Sequence, residues 1–443
     1  MASSTPAPAL QPTGRPYLTL VVIGAVIGIP GAFLAALFLG FVHYLEHVFW
    51  TDLPSAIGHA TPPWYLVIGL PVVGAAVVLA ARRLLPGDGG HRPLVGIGGP
   101  PTPVRNVLGV VLAAVGTLAF GAVLGPEAPV VAVGSAVGLA VIVVVKRAAP
   151  AAPILGTAGS LSAVSALFEG PLVAGMLFTE GGLGMGANLL PALLPGLVAA
   201  AVGYVIFIGF GSWNGLNAAG LAVPKLPGYH GTHPGDLLTA VVIGVVVAVV
   251  IRGVRRLALG IEGTRGSRIP MWLLLVGGGL AVGVIAEIAR LFGSDSQEVL
   301  FSGQAGVPTI IATDSTKIIL ITLVAKAIAY AVSLGCGFRG GPIFPALFLG
   351  IGLASLPEVW WHASPTLAVA VGAAAGMAAQ TELLIAPVLF GLLLVGTAGL
   401  DTVSAAVLAS GAAYLTTQAI DGRSSGTAAG NAAVSDAPAA APR

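Results

Sequence analysis

The sequence predicts an all-α, polytopic membrane protein of two inverted-topology halves, with broken helices meeting at mid-membrane. Three observations carry that prediction. Hydrophobic residues are 56% of the 443, only 8% are charged, and mean hydropathy is +0.98; soluble proteins carry about 25% charge. The apolar runs are long and do not alternate over ten residues, which favours helices over a barrel. Finally, Gly125-Pro126-Glu127-Ala128-Pro129 returns, altered, 216 positions later as Gly341-Pro342-Ile343-Phe344-Pro345. At the same offset Gly134 falls on Gly350, Gly156 on Gly372, Pro171 on Pro387 and Gly175 on Gly391, without a gap. The chain is an internal duplication.

The elements follow in order. Residues 1–15 are rich in Pro, Ala and Ser and read as a disordered tail without the features of a removable signal peptide. The first membrane repeat, 16–210, opens on Tyr17–Leu45, 29 residues free of Asp, Glu, Lys and Arg. As one helix this run reaches roughly 43 Å, beyond the ~30 Å hydrocarbon core, so it should tilt. Shorter runs follow at 64–81, 104–122, 128–145, 152–168, 171–179 and 188–210, with a Gly/Pro-rich loop at 87–103. A polar connection, 211–235, holds Trp213, Asn214, Asn217, Lys225, Tyr229 and His230. The second repeat, 236–420, carries runs at 236–251, 271–289, 317–335, 344–356, 365–380, 384–399 and 402–420. Arg252, Arg255, Arg256, Arg265 and Arg268 read as a loop that, with Arg82-Arg83, faces the cytoplasm. Residues 421–443 are rich in Ala, Gly and Ser and read as a second disordered tail, leaving no room for a cytoplasmic regulatory domain.

Gly125-Pro126, Gly170-Pro171, Gly340-Gly341-Pro342 and Ala386-Pro387 interrupt these runs at membrane depth. Irregular backbone is tolerated there only where it lines a cavity or lies inside protein. Proline suits the first helical turn, and glycine admits close backbone approach. Each G-P-x-x-P motif therefore starts a helix at mid-membrane. Such an N-terminus exposes unpaired N–H groups and roughly half a positive charge. Two termini converging make a site that holds an anion without trapping it. Glu127 stands in a stretch otherwise apolar from Val107 to Val145, and a lone acid in such surroundings marks function. Its carboxylate can occupy the site in competition with a diffusing anion, and leaves when protonated. The bland alternative is an acid that merely satisfies a helix dipole.

Other classes fall away. Cys336 is the single cysteine, so no internal disulfide or cysteine metal cluster is available. No basic, aromatic-interleaved patch points to nucleic acid, and no nucleophile with its base stands near the motifs, so an enzyme is disfavoured. No cofactor is implied. His43, Glu46 and His47 have helical spacing, but beside Tyr44 and Trp50 they read as a membrane interface rather than a metal site. Gly96-x-Gly98-Gly99 lacks the preceding strand of a phosphate loop.

These motifs resemble the CLC family of chloride channels and chloride/proton exchangers. The family's Gly-(Lys/Arg)-Glu-Gly-Pro stands here as residues 125–129, and its Gly-x-Phe-x-Pro as residues 341–345. The stretch 166–180, ending at Glu180, is similar to the one leading to an inner acidic site, and Val324-Ala325-Lys326 resembles the family's Val-Ala-Arg. With Gly337-Phe338-Arg339-Gly340-Gly341, the chain looks nearest to a divergent bacterial branch of ion channel proteins. The resemblance covers roughly residues 17–420.

It implies a multi-pass cell-membrane protein with cytoplasmic termini, a homodimer with one pore per subunit, and a gate at Glu127. The anion-binding set it implies is Gly125, Ala128, Gly341, Ile343 and Phe344 at the helix termini. The departures are specific. Gly89-Gly90-His91-Arg92-Pro93 lacks the family's serine ligand, and Pro342 removes one N–H donor. The family's tyrosine after the last helix is missing, with Tyr414 inside that helix as the substitute candidate. The inner proton glutamate of exchangers falls on Gly181, one position after Glu180. Glu180, Lys326 and Arg339 are candidate proton or electrostatic residues; each has a plain structural alternative, as do the rim acids Glu169 and Glu382. The reading is transport of a small inorganic anion, chloride first, leaning to a passive channel. Proton-coupled chloride or fluoride exchange is the alternative, and secondary transport of an organic anion the alternative from another class.

Overall fold

The computed structural model of the chain describes residues 14–96, 100–144, 150–182, 189–213, 222–265 and 269–435. Among them the chain is helical, with seven main helices in each half. The first half holds α1 (Gly14–His47), α2 (Trp64–Leu84), α3 (Val107–Leu118), α4 (Glu127–Val144), α5 (Ala152–Leu167), α6 (Pro171–Gly181) and α7 (Leu189–Trp213). The second holds α8 (Pro234–Glu262), α9 (Met271–Leu291), α10 (Thr316–Gly335), α11 (Ile343–Ala354), α12 (Pro365–Thr381), α13 (Ile385–Val395) and α14 (Val403–Ser435). Eight of the described helical stretches are long and apolar enough to cross a membrane, and α3, α4 and α5 are shorter apolar helices.

Local chemistry explains the boundaries. Pro153, Pro171, Pro234 and Pro365 stand in first turns, where a missing N–H costs nothing. The Ser315 side chain accepts from the Ile318 N–H and starts α10, and His233 and Asp236 form a capping box on α8. The halves are built alike. α4 packs on α5 as α11 packs on α12; α5 packs on α7 as α12 packs on α14; α1 packs on α7 as α8 packs on α14. Small residues set these distances, as expected between helices in lipid. A Cβ on Gly134 would run into the Gly159 carbonyl, and one on Gly350 into the Gly372 carbonyl.

The halves meet where the repeat says they should. Gly125 N–H donates to the Gly341 carbonyl at 2.7 Å, and Gly341 N–H returns a bond to Gly125 at 2.5 Å. The pairing is antiparallel. Because the two glycines are repeat equivalents, a pseudo-twofold axis passes between them, and the opposed chain directions make the halves inverted.

Two expectations need correcting. Arg252, Arg255 and Arg256 do not lie in a loop: α8 continues to Glu262 and carries them. Arg252 is buried, and its guanidinium binds Glu382 at 2.6 Å and Asp421 at 3.4 Å, which lets a charge stand on a buried helix face. The last helix also continues past Ile420 to Ser435, through part of the stretch whose composition reads as disordered; its alanines favour helix. Trp213 ends α7, whereas Asn214, Asn217, Gly98, Gly99 and Arg268 lie outside the described residues, as do 1–13 and 436–443.

Candidate functional site

The site is the place where the two interrupted segments touch. Residues 119–126 lead into α4 and residues 336–342 into α11, and the Gly125–Gly341 pairing draws the two N-termini together. Glu127, the first residue of α4, is 1% exposed. Its carboxylate crosses to the other half, where Oε1 accepts the Phe344 N–H at 2.7 Å. The amides of Ile343 and of Glu127 itself also lie within reach of that carboxylate. Oε2 has no hydrogen-bond partner. The Glu127 carboxylate therefore sits between two helix N-termini, whose dipoles favour negative charge.

The amides of Gly125 and Gly341 are engaged with each other. These glycines shape the site rather than offer donors, so the donors left on α11 are Ile343 and Phe344. Ala128 sits half-buried in the first turn of α4, where amides lack helical partners. Tyr414 lies half-buried on α14, and none of the hydrogen bonds among the described residues ties it to Glu127, Ile343 or Phe344.

The tyrosine beside the motif is Tyr330, which the reading of the sequence missed. Its hydroxyl is fully buried, donates to the Pro342 carbonyl at 2.7 Å and lies 3.1 Å from Gln380 Oε1. A phenol has one proton; with the Gln380 amide turned over, its NH2 group donates to the phenol oxygen instead. A signal was present. Lys326, Tyr330 and Ser333 stand at i, i+4 and i+7 on α10, a polar stripe along an apolar span. Ser333 Oγ accepts the Val123 N–H at 3.0 Å, so the stripe braces both interrupted segments. Phe168, Phe344 and Phe390 close the other side, with ring centroids 5.0 to 6.2 Å apart.

A model of the voltage gated chloride channel family matches residues 91–418. The chain belongs to that family. The protein described as "Putative ion-transport protein YfeO" from Escherichia coli O7:K1 is 28% identical over 364 residues, covering 78% of this chain and 80% of the relative. The protein of the same description from Escherichia fergusonii is similar to the same extent. Among solved structures, a CLC-type fluoride/proton antiporter superposes with a TM-score of 0.71 at 21% identity, covering 92% of this chain and 97% of that one. A slow cyanobacterial Cl−/H+ antiporter gives 0.72 at 17% identity, covering 92% and 96%. At these identities the structures establish the fold. Family membership makes the chain a membrane protein of anion transport.

The remaining candidates of this voltage gated chloride channel family member have defined surroundings. Glu180, at the end of α6, reaches the other half. Its oxygens accept the N–H groups of Leu384 (3.1 Å), Ile385 (2.9 Å) and Ala386 (2.8 Å) at the start of α13. From the C-terminal end of its own helix it thus accepts the first amides of α13. Lys326 is fully buried, and its ammonium donates to the carbonyls of Glu298, Val299, Leu300 and Phe301 at 2.9 to 3.3 Å. It also stands 4.6 Å from the centre of the Phe348 ring. It thereby satisfies carbonyls at the end of a short helix, Ser296–Val299. The interfacial His43 pairs with Glu46 at 3.8 Å, and His47 with Asp52 at 3.2 Å.

Arg339, two residues before Gly341, is 2% exposed, and its N–H donates to Thr117 Oγ1 at 3.1 Å. Its guanidinium and that of Arg82 both clasp Asp88 in the loop before α3. Burial pushes the Asp88 carboxyl up, but Arg82, Arg339 and Arg265 outweigh it and hold the group below its ordinary value. Arg339 also lines a cavity of about 830 Å³ bounded by Asp88, His91, Arg92, Asn106, Glu262 and Arg265. Burial, aided by Arg339, lowers the His91 pKa, which favours the neutral ring. Gly87, Gly90, His91 and Arg92 of the glycine-rich loop thus form a wall of this cavity.

Proposed function

We propose that the protein conducts a small inorganic anion, chloride first, through a pore whose gate is the Glu127 carboxylate. The observation that carries this reading is the Glu127 Oε1 to Phe344 N–H bond of 2.7 Å. A carboxylate held there occupies the donors an anion would use; protonated, it loses the charge that holds it and frees them. Ile343 and Phe344 bind the anion by backbone N–H, the α4 terminus adds its dipole, and Tyr330 braces the motif from behind.

Passive conduction is favoured over proton-coupled exchange by the surroundings of Glu180. Three backbone N–H groups occupy its carboxylate, and Gly181 carries no proton-bearing side chain. Exchange is the second reading, since both solved structures of this fold named above are proton antiporters by description. Fluoride is the second ion, since one of those two structures is described as a fluoride/proton antiporter. The arginines near the C-terminal ends of α2 and α8 support cytoplasmic termini, and family resemblance supports a homodimer with one pore per subunit. An organic anion would need a roomier polar pocket at the helix termini than the packed phenylalanines leave. The deciding experiment is anion flux from the purified protein in liposomes, with and without a proton gradient. Chloride efflux unaccompanied by proton movement is expected; obligatory counter-movement of protons would select the exchanger, and no anion flux at all would end the proposal.

A further inference from the structure

The Pro342 carbonyl held by Tyr330 belongs to the same peptide group as the Ile343 N–H. That peptide bond is trans, so the C=O and the N–H point to opposite sides of one rigid plane. Fixing the oxygen therefore aims the N–H. Tyr330 fixes it from a fully buried position, with its hydroxyl 2.7 Å from the oxygen. The Ile343 N–H lies within reach of the Glu127 carboxylate, among the donors of the proposed anion site. A hydrogen bond accepted by a carbonyl also polarises its peptide group and makes the attached N–H a stronger donor. The phenol has a single proton, and the Pro342 oxygen can only accept it. Gln380 stands 3.1 Å from the same hydroxyl. It leaves that proton in place when its NH2 end faces the phenol, and competes for it when its oxygen does. Gln380 lies in the last turn of α12, and two residues on Glu382 caps that helix in the left-handed conformation, φ 59°. The Glu382 carboxylate accepts from the buried Arg252 at 2.6 Å and from Gln418 at 3.2 Å. α8 and α14 thus hold the turn that carries Gln380.

We propose that Tyr330 and Gln380 are a positioning pair for the Ile343 amide. Gln380 donates its NH2 to the phenol oxygen, the phenol proton stays on the Pro342 carbonyl, and the Ile343 N–H is aimed and strengthened as a donor to the anion. The inference rests on the proposed anion transport and deepens it, because it assigns the residues that set the strength of one donor. Neither side chain touches the ion; both act through the Pro342–Ile343 peptide. Such control has consequence at this site because the donors are few. Pro342 has no N–H, and the Gly125 and Gly341 amides are engaged with each other, which leaves Ile343 and Phe344 on α11. A donor held at a fixed angle loses less freedom when the ion arrives than one that must first be oriented.

The test measures chloride binding to the full-length protein in detergent by calorimetry. It uses the Glu127→Gln background, in which no carboxylate competes for the helix termini. Tyr330→Phe, which removes only the hydroxyl, should raise the chloride dissociation constant about fivefold. Gln380→Leu should raise it about twofold. The double variant should match Tyr330→Phe alone, because Gln380 acts only through the phenol. Unfolding temperatures measured alongside separate binding from folding. An unchanged dissociation constant in Tyr330→Phe, with or without a lower unfolding temperature, marks a brace that is structural only; it overturns the pair and leaves the proposed transport standing. Additive losses in the double variant overturn the assignment of Gln380. Chloride flux into liposomes, measured on the wild type, tests the reading beneath. Weaker binding in Tyr330→Phe with no wild-type flux keeps the pair as the positioning device of a bound anion and overturns the transport. Absence of both binding and flux overturns both readings.

Discussion

The side chain of Glu127 fills the space that a Cβ on Gly341 would need. An added methyl there would lie inside bonding distance of Glu127 Oε2, and one on Gly125 would collide with the same oxygen. The two repeat-related glycines are thus the walls between which the carboxylate lies closed. Gly341→Ala should expel Glu127 from the Phe344 amide. The expected outcome is flux that no longer falls at neutral pH, with a packing cost of about 1–3 kcal/mol. Flux measured across pH and a denaturation midpoint check both parts; a Gly341→Ala protein with wild-type pH dependence would show that Glu127 is not displaced.

Glu127→Gln imitates the protonated gate. Wild-type flux should rise severalfold as the pH falls, because protonation removes the charge that the helix termini hold. The glutamine variant should conduct at every pH tested with most of that dependence gone. Identical pH profiles for the two proteins would rule out Glu127 as the gate.

Lys326→Met should damage stability rather than selectivity. It strips the donor from four carbonyls at residues 298–301, a loss of about 3 kcal/mol or more. A lower unfolding temperature in detergent, with unchanged chloride half-saturation in the folded fraction, is the expected pair of results. Weaker chloride affinity at unchanged stability would return Lys326 to the anion path.

Glu180→Gln tests coupling. The amide cannot match a carboxylate against three N–H donors at the start of α13, so a modest loss of stability, about 1–2 kcal/mol, is expected. A pH-sensitive dye in liposomes under a chloride gradient should report no uphill proton movement in either protein. Stoichiometric proton movement in the wild type that Glu180→Gln abolishes would identify an exchanger.

Asp88 supplies a pH dependence of stability with a definite sign. Its folded-state pKa lies below the ordinary value, Arg82 and Arg339 outweighing burial. The contribution is therefore complete above the usual carboxylate range near about 3.9 and is lost as the pH falls through the lower, folded value. Acid unfolding followed by intrinsic fluorescence should begin in that window for the wild type. Asp88→Asn should start less stable and show a shallower acid limb.

Much was legible in the residues alone. The duplication could be read from Gly125 and Gly341 because glycine and proline are demanded by backbone geometry, which neither repeat could abandon. Glu127 was conspicuous because a charge is costly in an apolar run. Helix ends were legible at Pro171 and Pro365 for the same local reason. What could not be read depended on partners far apart in the chain. Lys326 looks like a pathway cation until four carbonyls from residues 298–301 surround it. Glu180 and Glu382 look alike in sequence, yet one receives the amides of α13 and the other a buried guanidinium. Tyr414 stands on α14, whereas Tyr330 came to the Pro342 carbonyl through the packing of α10. Composition and local geometry determine membrane residence, helix breaks and the place of the buried acid Glu127, because those costs are settled within a few residues. Which donor meets which acceptor across the two halves is decided only when the inverted repeats close on one another, because hydrogen bonds and ion pairs act over a few ångströms while their partners here stand up to 255 residues apart.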